Sequence, residues 1–110
     1  MSGSDMKTIT RKEELVMLSI LNLQEDAYLM AIQEHLSKAL DKKESLTSVH
    51  LPLSRLEQYG YIESRFSKAT AIRGGRRKKI YRLTKPGREA LYAYKKISDN
   101  LWENFSKRTT

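Results

Sequence analysis

The chain contains no cysteine, which excludes disulfide bonds, thiolate catalysis, iron–sulfur clusters and cysteine-based zinc sites. Its longest apolar stretch, Leu15 to Leu23, has nine residues with two polar interruptions, so it is far too short to cross a bilayer. The first six residues lack the charged and apolar regions of a signal peptide. We therefore predict a cytoplasmic protein without a membrane span.

Catalytic motifs are also missing from the sequence. There are only two histidines, and no metalloprotease, serine-hydrolase or phosphate-loop pattern occurs. Gly74 and Gly75 lack the preceding strand and following helix that a phosphate-binding loop needs. We predict that the protein is not an enzyme and that it uses no metal or cofactor.

Acidic residues are absent from one long segment, and this absence concentrates the positive charge. The chain of 110 residues has 21 basic and 13 acidic side chains, a net charge of +8. Residues 64–88 contain ten basic residues and no acid, whereas the other 85 residues carry 11 basic and 13 acidic groups. This cationic segment, residues 64–88, predicts a surface that binds the phosphates of a nucleic acid.

Four helices are predicted from capping residues and apolar spacing. Residues 10–13 have the pattern of a capping box at the start of the first helix, and Asp26 is a good N-cap for the second. Ser45 is the expected cap of the third helix, Gly60 its left-handed end, and Thr84 the cap of the fourth. The apolar positions that recur three or four residues apart are Tyr28, Ile32, Leu36 and Leu40 in the second helix and Leu46, Val49, Leu53 and Leu56 in the third.

A β-hairpin is predicted between the third and fourth helices. Tyr61–Phe66 and Lys78–Leu83 alternate in the manner of half-buried strands. The eleven residues between them include Gly74 and Gly75 and belong to the cationic segment, so we expect a long, flexible and basic hairpin tip.

The last helix is expected to run from Thr84 to about residue 107 and to carry an apolar stripe close to a coiled-coil seam. No sequence remains to cover this stripe, so we expect it to pack against a second copy of the chain in a homodimer. The predicted dimer interface comprises Leu91, Tyr94, Ile97, Leu101, Trp102 and Phe105.

Three helices followed by a hairpin is the order of a winged helix-turn-helix, so we predict a mainly α (α+β) fold. Its two-stranded hairpin forms the wing, and its long C-terminal helix forms the dimer. We expect residues 1–8 to be disordered or cloning-derived, residues 9–84 to bind DNA, and residues 85–110 to form the dimerisation helix. With the third helix in the major groove and the wing against the backbone, the predicted DNA-binding residues are Ser45, Thr47, Ser48, His50, Ser54, Arg55, Arg73, Gly74, Gly75, Arg76, Arg77, Lys78 and Lys79.

Three segments carry a resemblance to the PadR family of bacterial transcriptional regulators. Residues 48–57, SVHLPLSRLE, resemble its recognition helix, and residues 14–28 resemble its first two helices. Residues 73–87, RGGRRKKIYRLTKPG, are similar to its wing, second strand and LT-x-x-G helix start. The resemblance covers roughly residues 9–91, and the glycine–arginine wing motif is its most specific part.

The resemblance implies a dimeric repressor of the smaller subgroup, in which a single C-terminal helix forms the interface. Some members of that subgroup bind flat aromatic drugs or phenolic compounds between the subunits, on a tryptophan of this helix. Trp102 lies on the corresponding helix, and Ser98 falls where those members have the tryptophan. The resemblance therefore implies a small aromatic effector near Ser98 and Trp102.

The leading hypothesis is a sequence-specific repressor that binds an inverted repeat in double-stranded DNA as a homodimer and is relieved by a small-molecule effector. The alternative is a winged-helix module that binds another protein through a merely basic surface. An RNA-binding protein ranks last, because the strands lack exposed aromatic pairs for stacking on bases.

Overall fold

The computed structural model describes residues 7–68 and 77–109. Three helices come first, a two-stranded antiparallel hairpin follows, and a long helix ends the chain. The elements are α1 (Arg11–Leu23), α2 (Leu29–Leu40), α3 (Leu46–Tyr59), β1 (Ile62–Phe66), β2 (Lys79–Leu83) and α4 (Lys85–Thr109). This arrangement is a winged helix-turn-helix, as the order of the predicted elements indicated.

Helix α1 forms the centre of the domain, and its start follows the predicted capping box. The backbone N–H of Glu13 donates to Thr10 Oγ1 at 3.1 Å, and the N–H of Thr10 donates to Glu13 Oε1 at 2.9 Å. Val16 and Met17 are fully buried in the core, where α1 packs against α2, α3 and β2.

Helix α2 begins later than its predicted N-cap. Asp26 lies in a short 3₁₀ turn, and the helix starts at Leu29, after an extended Tyr28. Tyr28 forms a bridge with Ile80, and the N–H of Tyr81 donates to the carbonyl of Ala27 at 2.8 Å. The assignment of Asp26 as N-cap is therefore wrong, because Tyr28 is extended and pairs with β2 through the bridge to Ile80 before the helix begins.

The buried stripe of α3 differs from the prediction at one residue. Val49, Leu53 and Leu56 are buried as expected, and Pro52 joins them on the same face. Leu46 is 42% exposed, because it is the first residue of the helix and lies beyond this stripe. The predicted cap at Ser45 is confirmed, and so is the left-handed end at Gly60, where φ is +79°.

The hairpin pairs β1 with β2 in antiparallel register, from Ile62 opposite Leu83 to Phe66 opposite Lys79. The pairing continues one step towards the tip, where the N–H of Ser67 donates to the carbonyl of Lys78 at 2.8 Å. Each strand begins one residue later than predicted. The hairpin is thereby held on the core by Ile62, Tyr81 and Leu83, all of which are buried.

A close backbone contact joins the start of α4 to the end of α3. Thr84 Oγ1 accepts from the N–H of Gly87 at 3.1 Å and donates to the carbonyl of Gly60 at 2.6 Å. A Cβ atom added at Gly87 would lie 1.9 Å from the carbonyl oxygen of Tyr61. Only glycine leaves room for this crossing.

Helix α4 packs on the core only at its beginning. Ala90 is buried, and Leu91 and Tyr94 are half-buried against the core. With 25 residues the helix is about 37 Å long, and its apolar side chains from Ile97 onward are exposed. The second half of α4 therefore extends away from the domain with an uncovered apolar stripe.

Substituting Gly87 by alanine should destabilise the fold. Alanine favours a helix by about 1 kcal/mol over glycine, but the clash with the backbone of Tyr61 should outweigh this gain. We expect a net loss of about 1–3 kcal/mol in the free energy of unfolding. Urea denaturation of Gly87→Ala measures the loss, with the exposed neighbour Glu89→Ala as control. A variant as stable as the wild type would contradict the close crossing.

Candidate nucleic-acid interface

The first turn of α3 presents a polar surface built around its N-cap. Ser45 Oγ accepts from the N–H of Ser48 at 3.0 Å. Ser45 and Thr47 are exposed, and Ser48 is half-exposed. The helix N-terminus carries a partial positive charge that favours a nearby phosphate. This turn therefore combines hydroxyl groups with backbone N–H groups at one end of the helix.

Glu44 connects this turn to the two other helices. Its side chain is only 6% exposed, and Oε1 accepts from Lys12 Nζ at 2.6 Å and from Ser48 Oγ at 3.1 Å. Its backbone N–H donates to Ser37 Oγ at 3.0 Å, and its carbonyl accepts from Gln33 Nε2 at 2.7 Å. The hydrogen bond from Lys12 is the main reason why the pKa of Glu44 lies below its ordinary 4.5, followed by the bond from Ser48.

Glu44 is not among the predicted site residues, because it lies in a polar break that is typical of an ordinary turn. Its position directly before the N-cap Ser45 is the one feature of the sequence that could have indicated a role at the start of α3. Its partners on α1 and α2 come from residues 7 to 32 positions away, and only the tertiary structure brings them together.

Further along α3, Arg55 pairs with a carboxylate in the core. Its Nε donates to Glu13 Oε2 at 2.8 Å, and the Glu13 side chain is only 1% exposed. Arg55 itself is partly exposed, and Ser54 beside it is half-buried. Arg55 thus has a structural partner on α1, in addition to the DNA contact predicted for it.

The structure brings α3 and the wing together along one groove. His50 of α3 faces Lys78 and Lys79 of the wing across a cavity of about 330 Å³. The lining also includes Tyr28, whose ring centroid lies 3.9 Å from Lys78 Nζ, and the exposed Met30. Three of the predicted DNA-binding residues therefore share one surface, although 28 positions or more separate the histidine from the lysines.

Part of the charge in the cationic segment is compensated by acids outside it. Arg65 pairs with Glu25 at 2.5 Å, and Arg82 pairs with Glu63 at the same distance. Lys79 lies 3.7 Å from Glu57, a carboxylate that also accepts from Ser64. These pairs reduce the positive field on the strands.

Part of the uncompensated charge lies near the hairpin tip. Arg77 and Lys78 are exposed, and no acid among residues 7–68 and 77–109 forms a salt bridge with either. Four of the predicted DNA-binding residues, Arg73, Gly74, Gly75 and Arg76, lie outside the described residues.

The predicted dimer and effector residues lie on α4. Leu91 and Tyr94 partly face the core, whereas Ile97, Leu101, Trp102 and Phe105 are more than half exposed. The rings of Trp102 and Phe105 meet edge to face with centroids 5.2 Å apart. Ser98 lies between this aromatic surface and a second concavity of about 470 Å³, which α4 forms with Leu18 and Leu21 of α1.

The described part of the chain shows no helix long and apolar enough to cross a membrane. Within the same residues, no group of histidine, aspartate and glutamate side chains has the arrangement of a metal site.

Comparison with known proteins identifies the architecture. Residues 17–93 match the transcriptional regulator PadR-like family. A padr family transcriptional regulator from Eggerthella lenta superposes with a TM-score of 0.68 at 26% identity, over 88% of this chain and 82% of that one. A PadR family transcription regulator from Clostridium difficile gives 0.67 at 21% identity, over 89% and 98%.

A transcriptional regulator from Clostridium thermocellum has a TM-score of 0.70 at 17% identity, over 94% of this chain and all of that one. No curated protein matches the chain. The two structures below 25% identity show similarity of fold alone. The family model matches most of the chain.

The hydrogen bonds of Glu44 predict a specific acid sensitivity. Because its pKa is lower in the folded state than the ordinary 4.5, its ionised form stabilises the fold above that pH. This contribution should be lost as the pH falls from about 4.5 through the folded value. The free energy of unfolding of the wild type should therefore drop more steeply in this window than that of Glu44→Gln, as followed by urea denaturation at several pH values. Parallel curves for the two proteins would contradict this role.

Proposed function

The chain belongs to the PadR-like family of transcriptional regulators, and we propose that it is a sequence-specific repressor that binds an inverted repeat as a homodimer. Members of this family regulate transcription and are not enzymes, so the general function is DNA-binding regulation. The proposal extends this function to a mode of DNA recognition, an oligomeric state and the direction of regulation.

The strongest support for the mode of recognition is the groove that α3 shares with the wing. A recognition helix in the major groove places its first turn near the bases, and a wing beside it meets the backbone. Here His50 lies on the α3 side of the groove, and Lys78 and Lys79 lie on the wing side. We propose that Ser45, Thr47, Ser48, His50, Ser54 and Arg55 face the major groove and that Arg73, Gly74, Gly75, Arg76, Arg77, Lys78 and Lys79 contact the backbone.

A homodimer is supported by the exposed apolar stripe of α4. Leu101 and Trp102 are 65% and 60% exposed, and aromatic side chains such as Trp102 are enriched at the centres of protein interfaces. A second copy of the helix would cover Ile97, Leu101 and Phe105 symmetrically, as a two-fold axis requires. Two DNA-binding domains held in this way would match the two halves of an inverted repeat.

A small aromatic effector would bind near Ser98 and Trp102 in this proposal. The edge-to-face pair of Trp102 and Phe105 offers flat apolar surface, and Ser98 offers a hydroxyl group between two concavities. A ligand at this place would touch the proposed dimer interface, so it could alter the spacing of the DNA-binding domains and relieve repression.

Lysine 78 provides a test of the wing contact. Neutralising it should weaken binding to specific and random duplexes alike, and each lost phosphate contact should reduce the slope of log K against log salt by about 0.9. For a dimer the reduction is about 1.8, measured by fluorescence anisotropy across a salt series with Lys78→Gln. Adding Arg77→Gln should lower the slope further.

Lys96→Gln is the matched control, because Lys96 also lies over a tyrosine ring but on α4. An unchanged slope in both Lys78→Gln and the double variant with Arg77→Gln would contradict the proposed contact of this part of the wing with the DNA backbone. If the wild type bound no duplex at low salt, a protein-interaction module would replace the repressor proposal.

The homodimer is tested by placing a charge on the stripe. Leu101→Glu should raise the dimer dissociation constant about 30-fold or more, because burying an unpaired carboxylate costs at least as much as losing an interface hot spot. Light scattering after gel filtration measures the mass of the particle. Asn100→Glu puts the same charge outside the stripe and should leave the dimer intact. A wild-type monomer at micromolar concentration would overturn the dimer.

A further inference from the structure

The hydroxyl group of Ser48 has its hydrogen committed inside the protein. Ser48 Oγ lies 2.9 Å from the carbonyl oxygen of Ser45 and 3.1 Å from Glu44 Oε1. Both of these atoms can only accept, and a serine hydroxyl has a single hydrogen to donate. In either of the two orientations that make these hydrogen bonds, the hydrogen points towards the protein.

The acceptor at Glu44 is fixed in place and in protonation state. Lys12 Nζ bonds the same Oε1 atom at 2.6 Å, and the backbone of Glu44 is tied to Ser37 and Gln33 of α2. Because these contacts favour the carboxylate, Glu44 has no proton of its own to donate to Ser48 at neutral pH.

The lone pairs of Ser48 remain available on its exposed side. Among the described residues, no N–H or O–H group donates to Ser48 Oγ, and the side chain is half-exposed beside the exposed Thr47. A hydroxyl whose hydrogen is engaged internally presents an acceptor to any group that approaches from outside.

We propose that Ser48 reads DNA as a hydrogen-bond acceptor, and that Glu44 is the positioning residue that keeps it in this state. In the major groove the only hydrogen-bond donors are the amino groups of adenine N6 and cytosine N4. Ser48 therefore selects an amino base, A or C, over the keto bases G and T on the strand it contacts. A phosphate offers only acceptors, so Ser48 does not anchor the backbone. This inference rests on the proposed function and specifies the direction of one hydrogen bond, in which the DNA base donates and Ser48 accepts.

The first experiment removes a single amino group from the DNA. Selection from random duplexes by the wild type and by Ser48→Ala identifies the position whose preference depends on Ser48. Replacing adenine there by purine, or cytosine by 2-pyrimidinone, deletes the amino donor and with it one Watson–Crick hydrogen bond, so the loss shown by Ser48→Ala measures the effect of the weakened base pair. We expect the wild type to lose about 5- to 10-fold more affinity than Ser48→Ala does, the size of one neutral hydrogen bond, so that the two changes are not additive.

The second experiment tests Glu44 as the positioning residue. Glu44→Ala removes one of the two inward acceptors, so the preference for A or C at the Ser48 position should relax while the rest of the selected sequence persists. Glu44→Gln keeps an oxygen for Lys12 and Ser48 and should retain more of the preference. Glu89→Ala removes a carboxylate from α4 and should leave the selected sequence unchanged. Thermal unfolding of each variant establishes that it is folded, and the base-analogue experiment stands without Glu44→Ala if that variant does not fold.

The outcomes separate the inference from the proposed function. A preference for G or T at the Ser48 position, or an equal loss on purine DNA for the wild type and Ser48→Ala, would overturn the acceptor role while DNA binding stands. A selection that Ser48→Ala does not alter would also overturn it. Failure of the wild type to enrich any duplex would instead remove the proposed function itself.

Discussion

The position of α3 depends on two nearly buried carboxylates, Glu13 and Glu44, that each bind a cation from another helix. Lys12 of α1 reaches Glu44 just before α3, and Glu13, the next residue of α1, binds Arg55 in the second half of α3. Removing one partner from such a pair leaves a charge with little access to water, which is far more costly than losing a surface ion pair. Two neighbouring residues of α1 therefore hold α3 at two points along its length.

The same arrangement restricts the hydrogen bonds that α3 could make in the proposed mode of DNA recognition. Arg55 shares its guanidinium with Glu13, and Ser48 donates its only hydroxyl hydrogen inward. Residues on the outer face of a helical projection can therefore make fewer hydrogen bonds to a ligand than their side chains suggest, because neighbouring protein groups already use part of their hydrogen-bonding capacity. The wing shows a related effect, since Glu25 and Glu63 compensate two of its arginines, whereas Arg77 and Lys78 near the tip form no salt bridge with the described acids.

Helix α4 joins the DNA-binding domain to the surface proposed for dimerisation. It starts at a glycine crossing against Tyr61, between the end of α3 and the wing, so its direction is fixed by the same backbone that positions the hairpin. A ligand that moved the exposed half of α4 would act on a rigid helix whose base contacts the DNA-binding domain. This continuity gives a physical route from the proposed effector surface to α3 and the wing.

Much of the fold could be read from the sequence, because its signals are local. The capping box at Thr10, the cap at Ser45, the left-handed Gly60 and the alternation of the two strands each depend on a few adjacent residues, and the structure has them all. The cationic segment and the apolar stripe of α4 were likewise visible. The start of α2 was not, since backbone bonds from β2 to Ala27 and Tyr28 decide it. Only the tertiary structure placed Glu44 among three helices and His50 beside Lys78, because hydrogen bonds and charge pairs between distant segments leave no periodic pattern along the chain.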